Sequence, residues 1–467
     1  MKTFPLPAVL IGLCLIGCTD NATTTAPPVP PANAQAFVEV DTLTTGPGYT
    51  LDVRPAATQP PAGFPYVHSA AHAQAGTEVL LIGGRTTGFH GISQQMDPFA
   101  ASRADTSIWV IDLASSAYYQ LPLYDRFPEL QQLKAANFAY YQDADTLFVM
   151  GGYGTADATA AVSNTTFDGG LAFQVSTLIN EVKKGAAGDP RRALLRSVQS
   201  PFLQVAGGEL FRVAGRFYLC FGQDYDGAYT VAKTGHYTEA LRSFRFDGPG
   251  LTDTFSVRSP DLHRRDLNVA QVINAGYLRY VAYSGVFNRN DNGYLHPIYL
   301  DVDLSTGGIT YAENTSLVQL TSNYKAALVS VYDTAAGRNT HSTLGGIGRY
   351  QYDVATGRWE DGDNGALLPF VKTITHNSWQ NGVQQTSYQL PPDAPELPAL
   401  LGTNALFLPN PEVLYVPGVI DYQRATADQP IGWLYGGILA QRPTSSTIYP
   451  TSINSTLYEV YLTKTDH

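Results

Sequence analysis

"VLLIGGRTTG", residues 79–88, is an apolar run that stops on two glycines and an arginine. The same ending returns along the chain: EVLLIGGR (Gly83, Gly84), TLFVMGGYG (Gly151, Gly152), RFYLCFGQD (Gly222), LRYVAYSGVF (Gly285), HSTLGGIGR (Gly345, Gly346) and GWLYGGILA (Gly436, Gly437). A strand that must turn sharply between crowded neighbours needs a residue that accepts positive φ and carries no Cβ. Recurrence of such a strand marks a repeat architecture.

A second element follows several of these strands: IWVIDLASSAYYQL (108–121), LRSFRFDGPGLTDTFSV (241–257), IYLDVDLSTGGITY (298–311) and RYQYDVATGRW (349–359). Each reads as a strand, an Asp, a few turn-forming residues and a second strand, which is a tight hairpin. An inner strand, a glycine-ended strand and an outer hairpin make one four-stranded blade. Blades set radially give an all-β propeller with short protected edges. The chain is read as a six-bladed propeller of four-stranded antiparallel blades over residues 36–467, with seven blades as the alternative because the Gly346–Gly436 interval is long and holds LPPDAPELPALLG. The expected ring closure pairs FVEVDTL (37–43) with a last blade that contains LYEVYL (457–462). A short helix is expected at PRRALLRSVQ (190–199).

These features resemble the kelch repeat, in which an apolar strand ends in Gly-Gly, an aromatic-Asp strand follows and a Trp marks the outermost strand. Gly222 and Gly285 depart from it by lacking the second glycine, and the outer Trp is represented by Trp359, with Tyr119 as a substitute in the first blade. The resemblance implies the propeller scaffold. It also implies company that ranges from the radical-copper galactose oxidase central domain to a sialic acid mutarotase. No Tyr is followed directly by His, as the copper pattern requires, and Cys220 sits inside the apolar run RFYLCFG.

With 467 residues, 44% hydrophobic and 15% charged, the chain can bury a large core. A formal net charge of -11 argues against nucleic acid as a partner, because phosphate backbones reward clustered Lys and Arg. The start, MKTFPLPAVLIGLCLIGC, has one lysine, an apolar stretch and Leu15-Ile16-Gly17-Cys18, which resembles a bacterial lipoprotein signal (1–18) that ends at a lipidated Cys18. Residues 19–35, rich in Thr, Pro and Ala, read as a tether. The expected location is the cell envelope, with the membrane reached through the anchor. Outside the signal only Cys220 remains, so no intrachain disulfide holds the folded part.

Linear catalytic signatures are missing: no G-x-S-x-G, H-E-x-x-H or P-loop occurs. Candidate chemistry therefore lies in the loops of one propeller face. FGQDYDGAYTVAKTGHYTE brings Asp224, Asp226 and His236, and FNRNDNGYLHP brings Asn288, Asn290, Asp291, Asn292 and His296. The alternation Asn288, Asn290, Asn292 followed by Gly293 echoes a calcium loop without its closing acid, and an Asn-rich turn that caps itself is the alternative. His68 and His72 in YVHSAAHAQ have the spacing of a metal pair or of ordinary core histidines. The first functional reading is a binding scaffold for a protein or glycan, consistent with 29 tyrosines. The other is a carbohydrate-active enzyme of mutarotase or epimerase type, with Asp224, Asp226, His236, Asp291 and Arg85 as candidate catalytic residues.

Overall fold

The computed structural model describes residues 46–88, 99, 101–123, 126–156, 164–227, 229, 235–273, 278–362, 368–444 and 450–465. Cys18, the tether and the 37–43 segment lie outside them. Nearly all regular structure is β, and the strands follow the chain in sets of four. The first sheet is Ala71–Ala75, Glu78–Ile82, Ser107–Asp112 and Tyr118–Pro122; the second is Ala139–Asp143, Thr146–Met150, Gly169–Gln174 and Leu194–Gln199. The third is Glu209–Val213, Arg216–Cys220, Ala240–Arg245 and Thr252–Arg258, and the fourth is Asn268–Val272, Arg279–Tyr283, Ile298–Val302 and Ile309–Glu313. In the fifth, Ala327–Asp333, Arg338–Ile347, Phe370–Gln380 and Val383–Gln389 follow the same order. The sixth is Leu406–Pro409, Gly432–Tyr435, Tyr458–Lys464 and, from the other end of the chain, Tyr49–Pro55.

The chain is thus a β-propeller of four-stranded antiparallel blades, and its ends are locked together in one sheet. The closing strand alternates: Tyr49, Leu51 and Val53 are buried while Thr50 and Asp52 face outward. It pairs with the last strand from Tyr49 opposite Lys464 to Pro55 opposite Tyr458. The LYEVYL reading holds. Closure uses 49–55, twelve residues beyond the start of the segment expected from sequence, where an apolar alternation meets the last strand's buried face.

The glycine pairs do what crowding demands. Gly83 has φ +63, and a Cβ on it would lie 2.3 Å from the Ala135 carbonyl oxygen, in the connection to the next sheet. At Gly151 the corresponding neighbour is the Val205 oxygen at 2.1 Å. The sheets without a pair correct the sequence reading: what they lack is the first glycine, not the second. Phe221 (φ 60) and Ser284 (φ 52) occupy that place, and Gly222 and Gly285 hold the second.

Three other expectations change. Residues 190–199 form a short 3-10 turn and the outer strand Leu194–Gln199; the α-helix, α1, is Val175–Lys183, where Val175, Leu178, Ile179 and Val182 make a buried stripe. The 349–359 segment is not the outer half of a blade. It forms an added hairpin, Tyr350–Asp353 with Arg358–Asp361, that packs Trp359 on Tyr388 at 4.7 Å between ring centres. Finally, the long Gly346–Gly436 interval holds that hairpin, the outer strands of the fifth sheet, the first strand of the sixth, and a second added hairpin. The latter is Leu414–Val416 with Val419–Asp421, and its second strand pairs in parallel with Ala327–Asp333.

The core lies between sheets. Leu80, Ile82, Val110 and Leu121 of the first face Leu147, Val149, Leu171 and Phe173 of the second, and each fully buried aliphatic side chain stabilises by about 1.5–3 kcal/mol. The fifth sheet fills much of its interior differently, with Asn339, Thr340, His341, Ser342, Thr343, Thr375, His376 and Asn377 all buried.

Candidate functional site

Connections that follow the glycine strands and those that join successive sheets emerge at the same end of the channel. There the repeat becomes a pattern of single residues. The residue after the second glycine pairs with the residue three positions before an inner strand: Arg85 with His68, Tyr153 with Ala136, Gln223 with Ala206, Val286 with Arg265 and Ile438 with Thr403. In the fifth sheet the Tyr324 N–H donates to the Ile347 carbonyl at 3.2 Å. One residue later in each connection, a belt of main-chain bonds runs round the axis. Asn137 donates to Ser69, Gly207 to Asn137, Asp266 to Gly207, Lys325 to Asp266 and Asn404 to Lys325, at 2.7–2.9 Å. Ser69, Asn137, Gly207, Asp266 and Asn404 take positive φ there, a conformation that Asn, Asp and Gly accept at low cost.

Above this belt opens a narrow cleft. Its walls are these paired positions: His68, Arg85, Tyr153, Gln223, Arg265 and Tyr324, joined by Asn137, Asn404, Phe99 and Tyr229. Phe99, Tyr153 and Tyr229 meet edge to face at 4.9–6.4 Å, and the Arg85 guanidinium lies 4.3 Å over Phe99. The walls combine ring faces with hydrogen-bonding tips.

A buried charge cluster forms the floor. Arg265 donates from Nη1 to Asp266 (3.0 Å), from Nε to the Tyr237 hydroxyl (3.0 Å) and from Nη2 to the Tyr229 hydroxyl (3.0 Å). Burial raises the Asp266 carboxyl above its ordinary range, against the pull of Arg265 and Lys325. Lys325 pairs with Glu209 of the third sheet and lies 5.6 Å from the Tyr140 ring centre of the second. Burial is the largest influence on its ammonium and lowers it, but Glu209, Tyr140 and Asp266 together hold it above the usual lysine range. Lys325 therefore bridges the channel. A second chamber below the belt is lined by Tyr140, Asp266, Lys325 and Asn404.

Of the sequence candidates, Arg85 lines the cleft. Asp224 and Asp226 do not: on the strand Gln223–Asp224, Gln223 faces in, and the Asp224 carboxylate accepts from Gln204 Nε2 at 3.0 Å on the other side. Burial raises the Asp224 carboxyl, with His236 acting in the opposite sense. His236 is exposed and pairs with Asp224 across the short hairpin. Asp291, exposed at φ 57, sits in a turn closed by the Asn288 side chain, whose Oδ1 accepts from the Asn290 and Asn292 N–H groups at 2.9 and 3.1 Å. His296 Nδ1 meets the Leu317 carbonyl at 2.7 Å. Among the described residues no group of three or more His, Cys, Asp or Glu is placed to hold a metal ion.

His68 and His72 separate. His72 lies on the inner strand with Nδ1 2.8 Å from the Tyr140 hydroxyl, and burial followed by Lys325 lowers it to about 4. His68 precedes the strand and faces the cleft. Cys220 is buried in the third sheet, and burial pushes its thiol up. Sequence reasoning missed Gln223, Arg265, Tyr324, Asn137 and Tyr229. Position relative to the glycines and inner strands marks the first four, whereas residue chemistry alone pointed to the neighbouring acids.

No family model matches the chain, and no curated protein does. Among solved structures it is similar to one described as "Structure of YjhT", at 12% identity and a TM-score of 0.45 over 85% of this chain and 99% of that one. No helix among the described residues is long and apolar enough to cross a membrane.

Proposed function

We propose that this chain is a six-bladed, kelch-type propeller, lipid-anchored at Cys18 in the cell envelope, that binds a glycan in the cleft at the channel mouth. The supporting observation is the pairing of aromatic faces with hydrogen-bonding groups that the protein leaves uncommitted. The Gln223 and Asn137 carboxamides line the cleft, and no described hydrogen bond uses either. Sugars present apolar ring faces and rims of hydroxyls, and such walls suit both. Titration calorimetry against a panel of simple glycosides tests this reading. Saturable binding that weakens in Gln223→Leu is expected, and heat-silent titrations with the whole panel would end it.

A second reading, an enzyme acting on that sugar, draws on Asp266. A buried carboxyl with a raised pKa under a ligand cleft has the properties of a general acid or base. Anomer exchange followed by NMR is the assay, and Asp266→Asn is expected to abolish exchange while binding persists.

A further inference from the structure

We propose that His68 is a ligand contact whose Nε2 hydrogen-bonds a hydroxyl of a neutral sugar in the cleft, with the Gln223 and Asn137 carboxamides completing the polar set. This rests on the glycan reading above and narrows it to uncharged, hydroxyl-bearing ligands.

His68 is 5% exposed, yet its Nε2 has no hydrogen-bond partner. The main chain at Thr87 is near the ring but falls short of hydrogen-bond geometry with that atom. The other ring nitrogen, Nδ1, is held 2.9 Å from Ser69 Oγ. The backbone is equally fixed: the His68 N–H donates to the Arg85 carbonyl at 3.1 Å, and the Arg85 N–H donates back at 3.0 Å. The imidazole is therefore clamped at one nitrogen and at the main chain, with the second nitrogen on the cleft wall. Leaving a buried polar atom unmatched is costly unless something in the working state meets it.

The charge of that partner follows from what else is uncommitted. Arg265 spends three of its five N–H groups on Asp266, Tyr237 and Tyr229, and Asp266 already meets its charge. Burial and Arg85 keep the His68 ring neutral, down to about 3. The imidazole nitrogen and the two carboxamides are uncharged and can each match a hydroxyl, while the Arg85 guanidinium of the same wall lies over Phe99. A ligand carboxylate placed against these three groups would find no opposite charge on them, whereas a hydroxyl finds a partner on each.

The test uses the full chain with 15N-histidine labelling. Long-range nitrogen–proton spectra are recorded with methyl glucopyranoside, methyl galactopyranoside and methyl mannopyranoside, and with glucuronate as the acidic comparison; His68→Phe assigns the signal. A neutral glycoside is expected to shift the His68 Nε2 resonance saturably. His68→Phe, which keeps the ring packing, is expected to weaken binding about tenfold, and His68→Gln, whose amide nitrogen reaches the place of Nε2, to recover much of that loss. Glycoside binding with an unmoved His68 resonance and an unaffected His68→Phe would overturn the role of His68 and leave the glycan reading intact. Binding of glucuronate alone would overturn the neutral class. Silence from every sugar would remove the glycan reading and this inference together. Either His68 variant removes the resonance and so assigns it, and one folded variant is enough to read the result on the unsubstituted chain.

Discussion

Two buried histidines set the cleft apart from the fifth sheet. His376 is 1% exposed and complete: Nδ1 meets Ser342 Oγ at 2.7 Å, which is itself 2.9 Å from the Tyr49 hydroxyl, and Nε2 donates to Gln389 Oε1 at 2.9 Å. Gln389 then binds both main-chain groups of Leu51, accepting its N–H at 2.6 Å and donating to its carbonyl at 2.9 Å. That chain of bonds staples the N-terminal closing strand to the neighbouring sheet and fixes a single tautomer of His376. His68, equally buried, ends on an unmatched nitrogen. Both regions are polar interiors, and hydrogen-bond completeness tells the structural one from the one built to meet a ligand.

The sharpest way to break this contrast is Gln389→Leu. It strands the Leu51 N–H and the His376 Nε2–H inside the protein, and a loss of about 4 kcal/mol in chemical denaturation is expected, with cleft binding unchanged in the folded fraction. Arg265→Met comes next. Removing the nearest countercharge of Asp266 is expected to cost about 3 kcal/mol and, unlike Gln389→Leu, to weaken binding as well.

Acid acts on the buried histidines of both regions. His72, His341 and His376 are lowered by burial to about 4 and His68 of the cleft wall to about 3, so the unfolded chain takes up protons first, and stability is lost as pH falls from about 6.5 towards 4. Each is expected to contribute a loss of about 2 kcal/mol by pH 5. Asp105, raised by burial to about 7, works in the opposite sense: its contribution is present in acid and is lost as pH rises through 7. The histidines outnumber it, and unfolding temperatures at pH 7.5 and 5 should fall in that order. If His376→Phe flattened none of this slope, the tautomer account of the fifth sheet would be wrong.

The smallest pair of effects concerns the turns. Gly83→Ala puts a Cβ against the Ala135 carbonyl at positive φ and is expected to cost about 2 kcal/mol. Ser284→Ala, at the equivalent place, removes a buried hydroxyl that has no partner and is expected to change stability by less than about 0.5 kcal/mol. Equal losses at the two sites would show that steric crowding is not what the glycine serves.

Much of the fold could be read from residue types. The glycine strands and three of the four hairpins are local patterns with local causes: apolar alternation, Asp caps and positive φ. The RYQYDVATGRW hairpin had the same signature yet landed outside the blade, because a hairpin's sequence specifies its turn and not the strand beside which it packs. Helix α1 was hidden by VSTLINEVK, whose β-branched Val175 and Ile179 speak weakly for helix while its buried face is set by the first sheet. In the site, Arg85 was visible as an odd charge after a glycine pair. Gln223 was passed over for Asp224, because strand alternation decides which of two neighbours faces the cleft and the register is fixed by distant pairing.

The sequence by itself determined the repeat, the glycine turns and the hydrophobic strands, since each depends on residues a few positions apart. Only tertiary structure decided that His68, Gln223 and Asn137, which lie in connections of three different blades, share one wall, and that 49–55 closes the ring. Such contacts join residues far apart in the chain, and their energy depends on which groups the finished fold leaves without a partner.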